Sequence, residues 1–194
     1  MQFSDLDLDK TYSYADYLKW RFDERLELIK GKIFKMTPVP NRFHQDYTGF
    51  LYYSIYNFLK HQSCKVYIAP FDVRFPKESK SDKQVYTVLQ PDICVICDLS
   101  KLDERGCIGA PDIVIEILSP GNSKKEMSNK FDVYQEHGVK EYWMVSPIEK
   151  NLVKYILHPD GLFYANRPFI EGNVLTTAVL PGFELKIEDI FNQD

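Results

Sequence analysis

The chain has 194 residues, 44% hydrophobic and 14% aromatic, enough for one sizeable core, and a single domain over residues 1–194 is expected. A formal net charge of −4 argues against a protein whose whole surface is a nucleic-acid footprint, while leaving room for a local basic groove. No stretch approaches the roughly 18 uncharged apolar residues of a membrane span, and the acidic start MQFSDLDLDKTYSY is unlike a secretory signal, so a cytoplasmic protein without membrane association is expected.

Thr11 ahead of the aromatic run to Trp20 predicts a short capped helix. Arg25–Ile29 and Lys32–Met36 alternate in polarity across Lys30-Gly31, a hairpin signal, and Pro38 and Pro40 stop the second strand. From Arg42 to His61, Phe43, Tyr47, Phe50, Leu51, Ile55 and Phe58 recur at helical spacing, which predicts the longest helix, laid across the sheet. Cys64–Phe75 reads as a strand interrupted at Pro70, and Pro76–Lys83 as a charged loop.

Gln90–Asp98 reads as one buried strand, Leu99–Ala110 as a polar connection, and Pro111–Leu118 as a second strand, placed beside the first as a sheet neighbour. Ser123 to Glu126 form a capping-box pattern that opens a helix running to His137 and ended by Gly138. Glu141–Ser146 returns as a strand, Asn151–Thr177 suggests edge hairpins, and Ile187–Phe191 a closing helical turn. Of the four cysteines, Cys94 and Cys97 form a CxxC inside a strand and point to opposite faces, so reduced, mostly buried thiols are expected for all four. The expected fold class is α/β of the α+β mixed kind, with a mixed central β-sheet flanked by helices and extra β-hairpins.

One residue breaks the pattern: Glu116 interrupts the run Ile113-Val114-Ile115-Glu116-Ile117-Leu118, which otherwise suits a strand buried on both faces. A buried ionised carboxylate must neutralise, pair with a cation or hold a metal. Asp112 shares its strand face but lies about 13 Å along the strand, too far for both to bind one ion. Asp92, after Pro91 at the head of the neighbouring strand, is the natural co-ligand, with Asp98 at that strand's far end as the competing choice. On the following helix Met127, Phe131 and Tyr134 define a buried stripe, and at about 100° per residue Lys130 falls roughly 50° from its centre while Lys125 points away. Two carboxylates, a lysine and bound Mg²⁺ or Mn²⁺ make a constellation suited to phosphodiester hydrolysis.

Pro91-Asp92, then Glu116 on the next strand with a nearby lysine, resembles the PD-(D/E)XK nuclease superfamily, the restriction endonuclease-like fold. Arg25–Gly31, His44 opening the long helix, Gln90-Pro-Asp-Ile, Pro111–Pro120, Lys130 with Tyr134, Gly138-Val-Lys-Glu-Tyr-Trp and Leu180-Pro-Gly-Phe together resemble the Uma family of "putative restriction endonucleases", long a domain of unknown function. The resemblance implies metal ligation by Asp92 and Glu116, and Lys130 as the motif lysine displaced onto the helix, because Leu118 stands where the superfamily pattern has lysine. It also implies DNA as partner and a homodimer, since double-strand cleavage takes two sites; no small-molecule organic cofactor is expected. Glu27, His44, Asp112 and Tyr134 are supporting candidates, each with a plainer alternative, such as a solvated strand face for Glu27. The rival functional reading is a catalytically inactive nucleic-acid-binding or interaction module on the same fold. A third is a structural protein in which Glu116 merely pairs with Lys130.

Overall fold

The computed structural model describes residues 3–21, 23–36, 42–119 and 124–192; Pro38, Pro40, Pro120 and the proposed cap Ser123 lie outside the described residues. The chain opens with α1 (Tyr14–Tyr17), followed by β1 (Leu26–Ile29), β2 (Lys32–Lys35) and the long helix α2 (Arg42–Leu59). Next come β3 (Lys65–Ile68), β4 (Val73–Arg74), β5 (Val88–Leu89), β6 (Ile93–Ile96), β7 (Leu102–Asp103), β8 (Gly106–Ile108) and β9 (Ile113–Ile117). Helix α3 (Lys124–Glu136) leads to β10 (Glu141–Ser146), β11 (Asn151–Leu157), β12 (Phe163–Ala165), β13 (Val174–Thr176), β14 (Glu184–Lys186) and α4 (Ile187–Phe191). No helix of the described residues is long and apolar enough to cross a membrane.

The strands divide between two six-stranded sheets and a ribbon: β2-β1-β5-β4-β8-β7, β12-β11-β10-β9-β6-β3, and β13-β14. The architecture is mixed α/β, as the sequence implies, but its strands are shared between two sheets rather than gathered in one. The first hairpin forms as expected because Lys30 and Gly31 take φ of 51° and 77°. A Cβ on Gly31 would also run into Thr11 Cγ2. Pro70 marks the exit from one sheet into the other, since β3 pairs with β6 whereas β4 pairs with β5 and β8.

At the centre of the second sheet β6 and β9 are antiparallel neighbours, with Ile93 facing Ile115 and Cys94 facing Val114. Strands β9 and β10 are parallel, so the chain needs a crossover, and α3 provides it. Alternation along β9 then splits the core. Ile113, Ile115 and Ile117 pack with α2 and α4, whereas Val114 packs with Val133 and Tyr134 of α3 and with Val73 and Leu89 of the first sheet. Glu116 lies on this second side, where α3 and both sheets meet.

Four local expectations are corrected. Ser13, not Thr11, opens α1: its N–H and hydroxyl both donate to Asp16 Oδ2. The strand expected over Gln90–Asp98 is shorter, β6 at Ile93–Ile96, because Gln90-Pro91-Asp92 serves as the connection from β5 in the other sheet. The polar connection Leu99–Ala110 contains the β7–β8 hairpin, too short and polar to give a strand signal. Cys64 and Cys97 form a disulfide, while Cys94 and Cys107 are free and buried. Lys65 faces Ile96 across β3 and β6, so the next register pair outward is Cys64 and Cys97.

Candidate active site

Glu116 is buried and fully engaged through one oxygen. Tyr134 donates its hydroxyl proton to Oε1 at 2.7 Å, and the Lys130 ammonium lies 3.1 Å from the same atom. Lys130 Nζ is also 3.1 Å from Oε1 of Glu27, a residue of β1 that is only 2% exposed. The ammonium thus joins a carboxylate of each sheet, and α3 delivers it because Lys130 and Tyr134, four residues apart, share one face. Gln90 also holds Glu27, donating its backbone N–H to the same Oε1 at 2.9 Å.

Continuing the β6–β9 register by one residue beyond Ile93 and Ile115 places Asp92 opposite Glu116. Asp92 Oδ2 accepts the backbone N–H of Ile117 at 2.8 Å and lies 3.2 Å from His44 Nε2. His44 is held in turn by Thr48, one turn along α2, whose hydroxyl lies 3.3 Å from His44 Nδ1. His44 also lines a cleft of about 310 Å³ with Phe43, Tyr47, Leu118, Pro147 and Ile148. The carboxylate pair is therefore covered by α3 on one flank, and on the other His44 stands between Asp92 and the cleft.

The electrostatics are those of crowded acids around one cation. Burial pushes the Glu116 carboxyl up to about 7, with Asp92 and Glu27 adding to the rise and Lys130 and Tyr134 opposing it. Burial works against the Lys130 ammonium, but Glu116, Glu27 and Asp92 outweigh it and hold its pKa well above the usual lysine range. Burial, then Glu116, raises Tyr134 in the same way, so its hydroxyl remains a proton donor.

Comparison with protein families gives a match over residues 14–188 to the Uma2 family, described as "Putative restriction endonuclease". The chain belongs to the Uma2 family. Among solved structures, a protein from Anabaena variabilis described as a "putative nuclease belonging to DUF820" superposes with a TM-score of 0.74 at 23% identity, covering 94% of this chain and 98% of that chain. That likeness establishes the fold. A comparison with curated proteins gives no match.

Within this Uma2 fold, Asp92, Glu116, Lys130, Glu27, Tyr134 and His44 come together, and Asp112 does not. Asp112 accepts the Cys97 N–H at 2.7 Å and pairs with Lys140 at 2.6 Å, tying the other end of β9 to its neighbours. Asp98 caps the turn after β6 by accepting the Ser100 N–H. Gln90 escaped the sequence reading as a site element: its side chain bridges Arg25 and Asp72 while its N–H holds Glu27. Its one sequence signal is its place just before Pro91-Asp92.

A divalent cation fits this donor set. The Lys130 ammonium pairs with Glu27 and Glu116 while Asp92 has His44 beside it, so full ionisation of the three carboxylates leaves an excess of negative charge that a cation would neutralise. The described hydrogen bonds use Asp92 Oδ2 and Glu116 Oε1, which leaves Oδ1 and Oε2 for coordination. Among the described residues no three His, Cys, Asp or Glu side chains form a ready metal cluster. Two carboxylates suit Mg²⁺, which keeps several waters and completes its shell with substrate phosphate.

Proposed function

We propose that this Uma2 protein is a metal-dependent endonuclease that hydrolyses DNA phosphodiester bonds at Asp92, Glu116 and Lys130. The observation that carries the reading is the register of β6 and β9, which sets Asp92 opposite Glu116, with the Lys130 ammonium 3.1 Å from the latter. Mg²⁺ or Mn²⁺, when bound, would supply an activated water and neutralise phosphate charge. Asp92 and Glu116 would hold the ion. Lys130, fixed by Glu27, keeps a positive charge beside Glu116 and stabilises charge that develops on the phosphate during attack. His44 steadies Asp92, and Tyr134 orients Glu116. Cutting both strands of a duplex takes two such sites, so a homodimer belongs to the proposal.

The test is nicking of supercoiled plasmid by the purified protein with Mg²⁺ or Mn²⁺. Nicking that depends on the metal and disappears in Glu116→Ala supports the reading; no nicking with either metal, or equal nicking by the variant, refutes it. A second reading, a catalytically inactive nucleic-acid-binding module, is favoured by Leu118 at the motif lysine's usual place and by the sharing of Lys130 between two carboxylates. DNA binding that weakens steeply with salt, survives Glu116→Ala and brings no cleavage would select it.

A further inference from the structure

The cleft beside Asp92 has a composition that phosphate chemistry does not require. Its walls carry Phe43, Tyr47, Leu118, Pro147 and Ile148 beside the polar Ser119, and its point of contact with the carboxylates is His44. Phe43 at the start of α2 is 54% exposed and Ile148 in the turn between β10 and β11 is 73% exposed. The periodicity of α2 assigns Phe43 to the buried stripe, yet it stands open to solvent at the cleft. The Arg42 guanidinium lies over one face of the Phe43 ring, 4.7 Å from its centroid, with its Nε 3.7 Å from Asp46 Oδ2.

We propose that this cleft receives an unstacked DNA base next to the phosphate handled at Asp92 and Glu116, so that the substrate class is DNA with an unpaired nucleotide at the cut. The inference rests on the endonuclease reading for the position of that phosphate. A volume of about 310 Å³ has room for a flat heterocycle. The face of Phe43 turned away from Arg42 offers a stacking surface that tolerates any base, and the exposed Arg42 would turn from its pair with Asp46 to the adjoining phosphate. A base inside a duplex has both faces covered by its neighbours and cannot present one to Phe43; extruding it costs free energy that a single strand does not demand. His44 links the two functions, since it lines the cleft and contacts Asp92 Oδ2.

The experiment reads binding without chemistry: anisotropy of a dye-labelled short single strand and of the matching duplex, in EDTA. The single strand should bind at least about tenfold more tightly than the duplex, and Phe43→Ala should weaken single-strand binding by about fivefold to about a hundredfold while leaving the duplex unchanged. Tyr53→Ala alters a side chain on the same helix that is 64% exposed and outside the cleft, and should leave both affinities unchanged. Phe43 is at the surface, so thermal unfolding of the variant should match the wild type. Equal affinity for single strand and duplex, or an unchanged Phe43→Ala, overturns the proposal. Nicking with an unchanged Phe43→Ala would reject the base cleft alone. Base-cleft binding without any metal-dependent nicking would reject the endonuclease reading alone.

Discussion

Lys130 Nζ lies as close to Glu27 Oε1, at 3.1 Å, as it does to Glu116 Oε1. One ammonium therefore clamps the first sheet to the second through α3. Removing it strands two buried carboxylates, and breaking a buried pair in this way costs about 3–5 kcal/mol. Lys130→Met should lower Tm by roughly 6–20 °C for a chain of this size. Adding Glu27→Gln should recover a substantial part of the loss, because the repulsion then disappears. Calorimetry that finds the single variant within about 2 °C of wild type would remove the clamp from the account.

Glu116 gives the site a pH dependence with two opposite signs. Its carboxyl rises from an ordinary value of 4.5 to about 7 in the folded protein. Between those values the native state holds a proton that the unfolded chain has released, so this group's contribution to stability falls as pH climbs through the window and is flat above it. Cation binding needs the ionised form. Mg²⁺ affinity, measured by titration calorimetry, should therefore rise by up to about tenfold per pH unit until about 7 and then level off. An affinity independent of pH between about 5 and about 7 would show that Glu116 is not a ligand.

Asp112 and Glu116 are carried by the same strand region but should answer to different assays. Asp112→Asn weakens the acceptor for the Cys97 N–H and gives up the Lys140 pair, whose lysine is largely exposed. The expected cost is about 1–2 kcal/mol of stability, with cation affinity unchanged. A variant of wild-type Tm that no longer binds Mg²⁺ would bring Asp112 back into the site.

The disulfide closes a loop of 33 residues between β3 and β6. Cys64→Ser should cost about 2–4 kcal/mol, read by urea unfolding under non-reducing conditions. Reductant should bring the wild type to the same midpoint and leave the variant where it was. Identical midpoints for oxidised wild type and variant would deny the crosslink any role in stability.

How far the site was legible depends on which signal each residue carried. Glu116 announced itself as a charge in an apolar run, and Lys130 through the helical wheel, because both depend only on local periodicity. Asp92 needed one further step, the pairing of β6 with β9, which two buried neighbouring strands suggest. Glu27 stayed open between a supporting role and a solvated face: alternation shows which residues share a side of a strand, but not that the polar side meets a buried lysine from another layer. The two-sheet division, the β7–β8 hairpin and the Cys64–Cys97 pair depend on register between segments far apart in sequence, which local patterns do not contain.

His44 offers the sharpest separation of positioning from stability. Its Nε2 is 3.2 Å from Asp92 Oδ2, its Nδ1 faces Thr48, and its side chain lines the cleft outside the hydrophobic core clusters, so it bears on the orientation of the proposed ligand Asp92. Outer partners that orient ligands are typically worth about 10–100-fold in metal affinity or activity. His44→Ala should weaken Mg²⁺ binding by that factor while Tm moves by no more than about 2–4 °C. His44→Gln, which keeps a hydrogen-bond donor near Asp92, should recover part of the affinity. An unchanged cation affinity in His44→Ala, or a loss that tracks unfolding in both variants, would reduce His44 to a packing residue at the start of α2.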